Sequence, residues 1–249
     1  MTAPPIVFDK VCKNYPLYHH FTGGIKNFII NMPAALKALR KTRFEALQDL
    51  SFEVRAGETL GIIGGNGAGK STILGLVAGV LKASCGVISV TGRVSPLLEL
   101  GAGFHRDLTG RENIILNGIL LGLTRTEVMA KINAIIEFSE LGEFIDQPVR
   151  IYSNGMLARL GFSVVAQLEP EILVIDEVLA VGDEEFQKKC INKMKEFKKK
   201  GVTMLFVSHS MSSVEMICDR VLWIENKTIR MSGVPREVVL KYAGSAPLI

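Results

Sequence analysis

Gly64-Gly65-Asn66-Gly67-Ala68-Gly69-Lys70-Ser71-Thr72 is the stretch that decides the fold. It matches the P-loop pattern G-x-x-x-x-G-K-[ST] at every fixed position. The apolar run 59–63 before it predicts a buried strand, and residues 73–78 after it predict the first turns of a helix. Glycines let successive N–H groups point at phosphate oxygens, and the helix N-terminus adds about half a unit of positive charge. A glycine-rich turn without a ligand would not need this context, so we expect a nucleotide-phosphate site.

Two side chains of this stretch carry the expected chemistry. Lys70 supplies a full positive charge for the phosphate oxygens. Ser71 places a hydroxyl where a Mg²⁺ that bridges the outer phosphates needs an oxygen ligand. We therefore expect a Mg-nucleotide as ligand rather than bare phosphate.

Length and composition fit one large domain. A chain of 249 residues, 48% of them apolar, can bury a sizeable core. Its net charge of +4 is too small to argue for a nucleic-acid partner. We find no apolar run of the roughly 20 residues that span a bilayer and no signal-peptide pattern. We therefore expect a cytosolic chain whose membrane contact is peripheral or through a partner.

The cysteines are scattered along the chain, at Cys12, Cys85, Cys190 and Cys218. They form no C-x-x-C pair, and no histidine lies at metal-ligand spacing. We therefore expect free thiols in a reducing compartment, with neither a disulfide nor a zinc site.

Apolar patterns outside the P-loop predict an α/β fold. Residues 6–8 and 50–54 are typical of strands, and the second of them alternates cleanly between apolar and polar residues. Later in the chain, the runs 172–175 and 204–207 flank a charged helix predicted over 184–200. A strand, a helix and a strand in this order form a unit of a parallel sheet. We therefore expect a P-loop core with a mainly parallel sheet and N-terminal antiparallel strands.

Helical patterns fill the region of about 101–166, with helices predicted over 111–121, 125–139 and 157–168. We expect this region to be a helical subdomain inserted into the core. A final strand is predicted over 221–224. It is followed by a short C-terminal tail, 226–249, with a turn at Asn226-Lys227 and a helix opened by Pro235.

The segment between the first two strands carries charge of one sign. From Lys10 to Phe44 it has no acidic residue, and an apolar stripe recurs at helical spacing: Ile25, Phe28, Ile29, Met32, Leu36 and Leu39. We predict a basic amphipathic helix over about 19–43, kinked or divided at Pro33. Such helices lie on anionic membranes or in a partner's groove. A helix that covers the domain's own sheet is the alternative.

An aromatic residue near the start of a nucleotide domain can stack on the base. Tyr15 follows the first predicted strand and is our candidate for this role. Tyr18 and Phe44 compete with it, and a packed surface tyrosine is the alternative without a ligand.

Polar side chains follow the predicted parallel strands at their carboxyl ends, where open α/β sheets bind ligands. Asp176 and Glu177 come directly after the strand 172–175, and His209 ends the next strand in the same way. Asp176 is expected to hold Mg²⁺, mostly through water, and Glu177 to orient or deprotonate the attacking water. His209 is expected near the terminal phosphate. A helix cap and a structural histidine are the respective alternatives.

The order and spacing of the motifs resemble the ATPase subunit of an ABC transporter. The resemblance rests on the P-loop, Tyr152-Ser153-Asn154-Gly155-Met156, Asp176-Glu177, Ala180-Val181-Gly182-Asp183 and His209. It implies ATP and Mg²⁺ as cofactors, and a Ser-Gly-Gly type signature that contacts ATP held by the opposite subunit. Ser153, Asn154 and Gly155 match that signature. Asn154 replaces a glycine, and Asn tolerates a left-handed backbone, so the loop shape is expected to survive.

A further set of motifs resembles the polysaccharide-export branch of this family, which exports O-antigen, capsule and teichoic acid. The set contains residues 98–105, residues 108–113, the signature and residues 176–183. The family's coupling loop normally carries a glutamine, and Glu99 is the nearest polar residue here. In O-antigen and teichoic acid members, the N-terminal helix lies at the cytosolic gate of the permease. The chain stops at Ile249, so we expect no C-terminal glycan-binding domain.

The resemblance implies one ABC ATPase domain over 1–249 that works as a homodimer. Its expected partners are two copies of an integral-membrane permease, at the cytoplasmic face of the inner membrane. The expected substrate is a lipid-linked polysaccharide of the O-antigen type, with teichoic acid or capsule as the alternative. A soluble ABC-type ATPase acting on ribosomes or DNA usually carries two cassettes or a long coiled coil. A purely regulatory ATP switch is opposed by Glu177 and His209.

Overall fold

The computed structural model describes residues 3–16, 43–97, 103–176 and 183–245. The strands are β1 (Ile6–Pro16), β2 (Arg43–Val54), β3 (Thr59–Ile63), β4 (Cys85–Val90), β5 (Val94–Leu97), β6 (Ile172–Asp176), β7 (Thr203–Val207), β8 (Arg220–Glu225) and β9 (Thr228–Gly233). The helices are α1 (Lys70–Val77), α2 (Gly110–Leu120), α3 (Arg125–Ser139), α4 (Asn154–Ala166), α5 (Glu184–Lys199), α6 (Met211–Ile217) and α7 (Pro235–Ser245). Two short 3₁₀ helices, Gly142–Asp146 and Val149–Ile151, lie between α3 and α4.

Two sheets form the framework of the described chain. A three-stranded antiparallel sheet has the order β2-β1-β4, and a six-stranded sheet has the order β5-β6-β7-β3-β8-β9. In the larger sheet β5, β6, β7, β3 and β8 are parallel neighbours, and only β9 is antiparallel to its partner. The predicted α/β fold with a mainly parallel sheet and N-terminal antiparallel strands is therefore confirmed.

The larger sheet is buried on both faces, which explains the continuous apolar runs of β3 and β7. Side chains alternate across a strand, so neighbours enter different cores. In β7, Met204 and Phe206 pack with the helices α2–α5, whereas Leu205 and Val207 pack with α1 and the small sheet. The central strands are therefore held from two sides, and their carboxyl ends form a rigid edge.

The helices between β5 and β6 match the helical patterns of the sequence. Capping boxes begin α2 at Thr109 and α3 at Thr124, and each pairs the N-cap threonine with a glutamate three residues on. Helix α4 begins at Asn154, earlier than the predicted Leu157, because the side chain of Ser153 caps it. Asn154 thus has helical backbone, and the left-handed conformation expected for it is not used.

Three strands of the structure were not predicted from the sequence. Strand β4 is mostly exposed and has a weak apolar pattern. Strand β5 is short and contains Pro96, which is tolerated because β5 lies at the edge of the sheet. Strand β9 lies in the predicted C-terminal tail and pairs with β8 after the turn at Asn226 and Lys227, which both have positive φ.

The expectation of four free thiols is wrong for two of them. Cys12 and Cys85 form a disulfide with a Cα–Cα distance of 5.0 Å. They are 73 residues apart in sequence but stand opposite each other where β1 pairs with β4. Strand register creates this proximity, and the spacing of cysteines along the chain does not show it. Cys190 and Cys218 are free and buried.

Two predictions concern the membrane. Within the described ranges, no helix combines the length and the apolar character needed to cross a membrane. The amphipathic helix predicted over about 19–43 lies outside the described residues, apart from Arg43, which begins β2.

Candidate active site

The P-loop follows β3 and leads directly into α1, as predicted. Two of its glycines are required by close approach. A Cβ on Gly64 would lie 2.3 Å from the carbonyl oxygen of Ile224, and a Cβ on Gly69 would lie 2.4 Å from Cδ2 of Leu47. Gly69 also caps α1 with a left-handed backbone, at φ 103°. A side chain at either position would force the loop or its neighbour to move, because backbone oxygens of Ile224 and Ala46 lie too close for a Cβ.

Lys70 is held beneath the loop by the loop's own carbonyl groups. Its Nζ donates to the oxygen of Gly64 at 2.8 Å and to that of Gly65 at 3.1 Å. Only 9% of the residue is exposed. This burial lowers the pKa of Lys70, and the nearby charge of Asp176 opposes the shift. The loop thus fixes the position of the amine before any phosphate arrives.

Ser71 and Asp176 come from opposite halves of the chain and meet at the edge of the sheet. The Ser71 hydroxyl in the first turn of α1 donates to Oδ2 of Asp176, the last residue of β6, at 3.1 Å. Mg²⁺ in nucleotide sites is bound by one or two protein oxygens together with phosphates and water. A hydroxyl and a carboxylate that converge beside a P-loop fit that ion.

A cavity of about 320 Å³ brings residues of the P-loop together with Asp176 and His209. It is lined by Phe44, Ala46, Asn66, Gly67, Ala68, Gly69, Lys70, Ser71, Thr72, Asp176 and His209. The histidine follows the carboxyl end of β7, which lies between β6 and β3 in the sheet. The parallel topology therefore brings Asp176 and His209 to the side of the P-loop on which the phosphates are expected.

Phe44 lines this cavity, and Tyr15 is not among its lining residues in the described part of the chain. The two are register partners in the β1–β2 pair. The Lys227 amine lies 5.1 Å from the centre of the Phe44 ring, and the Lys13 amine lies 5.0 Å from that of Tyr15. Both aromatic residues were candidates from the sequence, and the cavity lining shows that the Phe44 ring is beside the loop. The part played by Tyr15 in binding the base stays a prediction.

The signature residues lie apart from this cavity. Ser153 is the N-cap of α4, and its Oγ accepts a hydrogen bond from the Met156 amide at 3.2 Å. Ser153 and Asn154 are exposed, and a Cβ added to Gly155 would meet only Oγ of Ser153, at 3.8 Å. An accepting hydroxyl keeps its own proton for donation, so the Ser153 hydroxyl can still donate at this exposed helix end.

Two predicted residues lie outside the described part of the chain. Glu177 follows the last residue of β6, and Glu99 follows β5 in sequence. Their proposed roles as the base for water and as the residue of the coupling loop stay predictions.

Comparisons with known proteins agree with this geometry. Residues 47–180 match the family described as ABC transporter. The O-antigen export system ATP-binding protein RfbB of Klebsiella pneumoniae is 59% identical, over 96% of this chain and 97% of its own length. The teichoic acids export ATP-binding protein TagH of Listeria innocua is 43% identical, over 95% of this chain and 69% of its own.

A solved structure shares the fold. It is a dimeric ATP-binding cassette in a post-hydrolysis state, bound to ADP and Pi. Its TM-score is 0.74 at 17% identity, and the match covers 93% of this chain and 99% of that chain. Family, relatives and fold agree with the P-loop site: the chain belongs to the ABC transporter family, as a subunit that binds and hydrolyses ATP.

Proposed function

We propose that this subunit powers the export of a lipid-linked polysaccharide of the O-antigen type through a separate permease. The observation that carries the proposal is the 59% identity to the Klebsiella protein, which extends over nearly the whole of both chains. The subunit is expected to hydrolyse ATP at the cytoplasmic face of the inner membrane, where the permease holds it.

The P-loop cavity supports the chemistry of this proposal. Lys70 and the loop amides bind the phosphates, and the helix dipole of α1 adds to their attraction. Ser71 and Asp176 would hold Mg²⁺, which neutralises charge on the outer phosphates when it is bound. His209, at the same edge, is close enough to the cavity to contact the terminal phosphate. Glu177 is proposed as the base that orients the attacking water.

A homodimer completes the site in this proposal. Ser153, Asn154 and Gly155 stand at an exposed helix N-terminus that does not line the chain's own cavity. A second copy would bring this end to the phosphates of the first copy's ATP, and the reverse contact would form at the other site. Each ATP would then lie between the P-loop of one subunit and the signature of its partner.

Coupling to the permease is proposed for two parts of the chain. The basic segment 19–43 is proposed to work at the membrane face, because it excludes acidic residues and carries an apolar stripe. Glu99 is proposed to link the nucleotide site to the helical region. The 43% identity to the Listeria protein makes a teichoic acid the second candidate for the exported polymer.

An export assay in cells tests the proposal. Cells whose own subunit is replaced by the Lys70→Ala variant should synthesise the lipid-linked glycan but retain it inside, where external glycosidases cannot reach it. Wild-type complementation should restore surface glycan. Normal surface glycan in Lys70→Ala cells that produce the variant would reject the proposal. The same assay with lipid-linked teichoic acid in place of O-antigen shows which of the two polymers the subunit exports.

A further inference from the structure

Arg159 lies in the second turn of α4, the helix that Ser153 caps. Its side chain is 18% exposed, and its guanidinium carbon lies 4.9 Å from the centre of the buried Phe186 ring. A guanidinium this close to the face of an aromatic ring makes a cation–π contact with it. The Phe186 ring therefore helps to hold the donors of Arg159 in place.

These donors reach carboxylates from two different helices. Nη1 donates to Oε2 of Glu140, the left-handed C-cap of α3, at 3.2 Å. Nη2 donates to Oδ2 of Asp183 at 2.5 Å. Lys189 closes the arrangement from α5, because its Nζ donates to Oε1 of the same glutamate at 2.6 Å. One side chain of α4 thus connects the end of α3 with the start of α5.

Asp183 has a second role that uses its other oxygen. Oδ1 accepts a hydrogen bond from the Phe186 amide at 3.0 Å, and so Asp183 is the N-cap of α5. Asp183 also ends the connection that leaves β6, since it follows Asp176, the last residue of that strand, by seven positions in the sequence. The contact with Arg159 therefore fixes one end of that connection against the helix that begins at Ser153.

We propose that Arg159 is a positioning residue for ATP hydrolysis, which holds the signature end of α4 in register with the start of α5. In a two-subunit site, α4 acts on the partner's ATP while Asp176 acts on the subunit's own ATP. Because the signature end of α4 and the start of α5 are held at a fixed distance, the two ATP sites of the dimer close together. The inference rests on the proposed homodimer.

The exposure of the partners argues against a role in folding stability alone. The Asp183 side chain is 62% exposed and that of Glu140 is 43% exposed. Ion pairs at this level of exposure contribute little to the free energy of unfolding, because water screens them. A guanidinium that donates to carboxylates of two helices instead fixes the positions of those helix ends relative to α4.

The decisive variant is Asp183→Asn, because Asn caps a helix as well as Asp does, whereas Arg159 loses both the opposite charge and the oxygen acceptor that it contacts. Glu184→Gln is its matched control. It removes a carboxylate from the same first turn, where Glu184 pairs with Lys188 in an exposed i,i+4 contact. We expect Asp183→Asn to lower kcat by about threefold or more. ATP binding to the isolated subunit and the Tm should equal those of the control.

Arg159→Lys adds a second measurement. Lysine lacks the planar guanidinium that donates to Glu140 and Asp183 from its two ends. The kcat of Arg159→Lys should therefore fall as well, with unchanged ATP binding. Equal kcat values for Asp183→Asn and Glu184→Gln would overturn the inference, and so would a change in KM alone. If the wild type fails to dimerise with ATP, the proposed homodimer fails instead. If Arg159→Lys does not fold, Asp183→Asn still decides the question.

Discussion

The hydroxyl of Ser71 lies 3.1 Å from Oδ2 of Asp176, although the two residues are 105 positions apart in the sequence. Parallel pairing of β6 with β7 and of β7 with β3 produces this contact, since all three strands end at one edge. This hydrogen bond links the P-loop to the end of β6 and defines the place where Mg²⁺ fits.

The first prediction concerns this pair. Ser71→Ala should reduce the apparent affinity for Mg²⁺ during ATP hydrolysis by at least about tenfold, because one oxygen ligand is lost. Titration of ATPase activity with Mg²⁺ measures it. ATP binding in the presence of EDTA should stay nearly unchanged. Ser89→Ala, an exposed serine of β4, is the control, and a variant that matches it in Mg²⁺ dependence would contradict the assignment.

The fold and the phosphate side of the site could be predicted from the sequence, because they depend on local patterns. The P-loop spacing and the apolar runs before Asp176 and His209 are sufficient for both. Contacts set by strand register could not be predicted in the same way. The Cys12–Cys85 bond requires β4, and β4 is too exposed to show a strong apolar pattern.

The same limit explains two further differences. Phe44 and Tyr15 are neighbours across β1 and β2, so position along the chain cannot tell which ring lies beside the P-loop. The ion pairs of Arg159 join it to residues 19 and 24 positions away on other helices, and no motif spacing predicts them.

The second prediction tests whether two copies share one ATP. Lys70→Ala and Ser153→Arg protomers should each be inactive alone. A mixture should recover part of the activity, because heterodimers contain one composite site with both changes and one with neither. ATPase assays on heterodimers isolated with two affinity tags measure this. The shared site is wrong if isolated heterodimers stay inactive while a dimer with one known intact site is active.

The third prediction concerns the basic segment. Replacing Lys37, Arg40 and Lys41 by Glu should abolish export and weaken membrane association. Each such charge contributes about 1 kcal/mol near an anionic surface, and three charge reversals turn attraction into repulsion. Vesicle co-sedimentation measures the binding. ATPase activity in solution and the Tm should stay nearly unchanged. If the triple variant unfolds or loses ATPase activity, the segment belongs to the domain's own packing.

The fourth prediction separates the cysteines by reactivity. Burial raises the pKa of Cys190 and of Cys218 to about 12, so both are almost wholly protonated and unreactive at pH 8. A maleimide followed by mass spectrometry should label neither in the folded protein. Cys12 and Cys85 should be labelled only after a reductant is added. Labelling of both without reductant would contradict the disulfide, and labelling of Cys218 in the folded protein would contradict its burial.

The fifth prediction addresses the central claim, that ATP hydrolysis by this chain drives export of a lipid-linked glycan. The subunit and its permease are reconstituted in vesicles with lipid-linked O-antigen on the face that carries the subunit. Movement of glycan to the opposite face is measured with and without Mg-ATP, for the wild type and for Glu177→Gln. The variant should bind ATP but hydrolyse it roughly 10²-fold more slowly.

We expect glycan to cross only with wild-type protein and Mg-ATP, at a rate that falls with hydrolysis in Glu177→Gln. Glycan transfer that proceeds equally without ATP, or no transfer despite ATP hydrolysis by an assembled wild-type complex, would contradict the account.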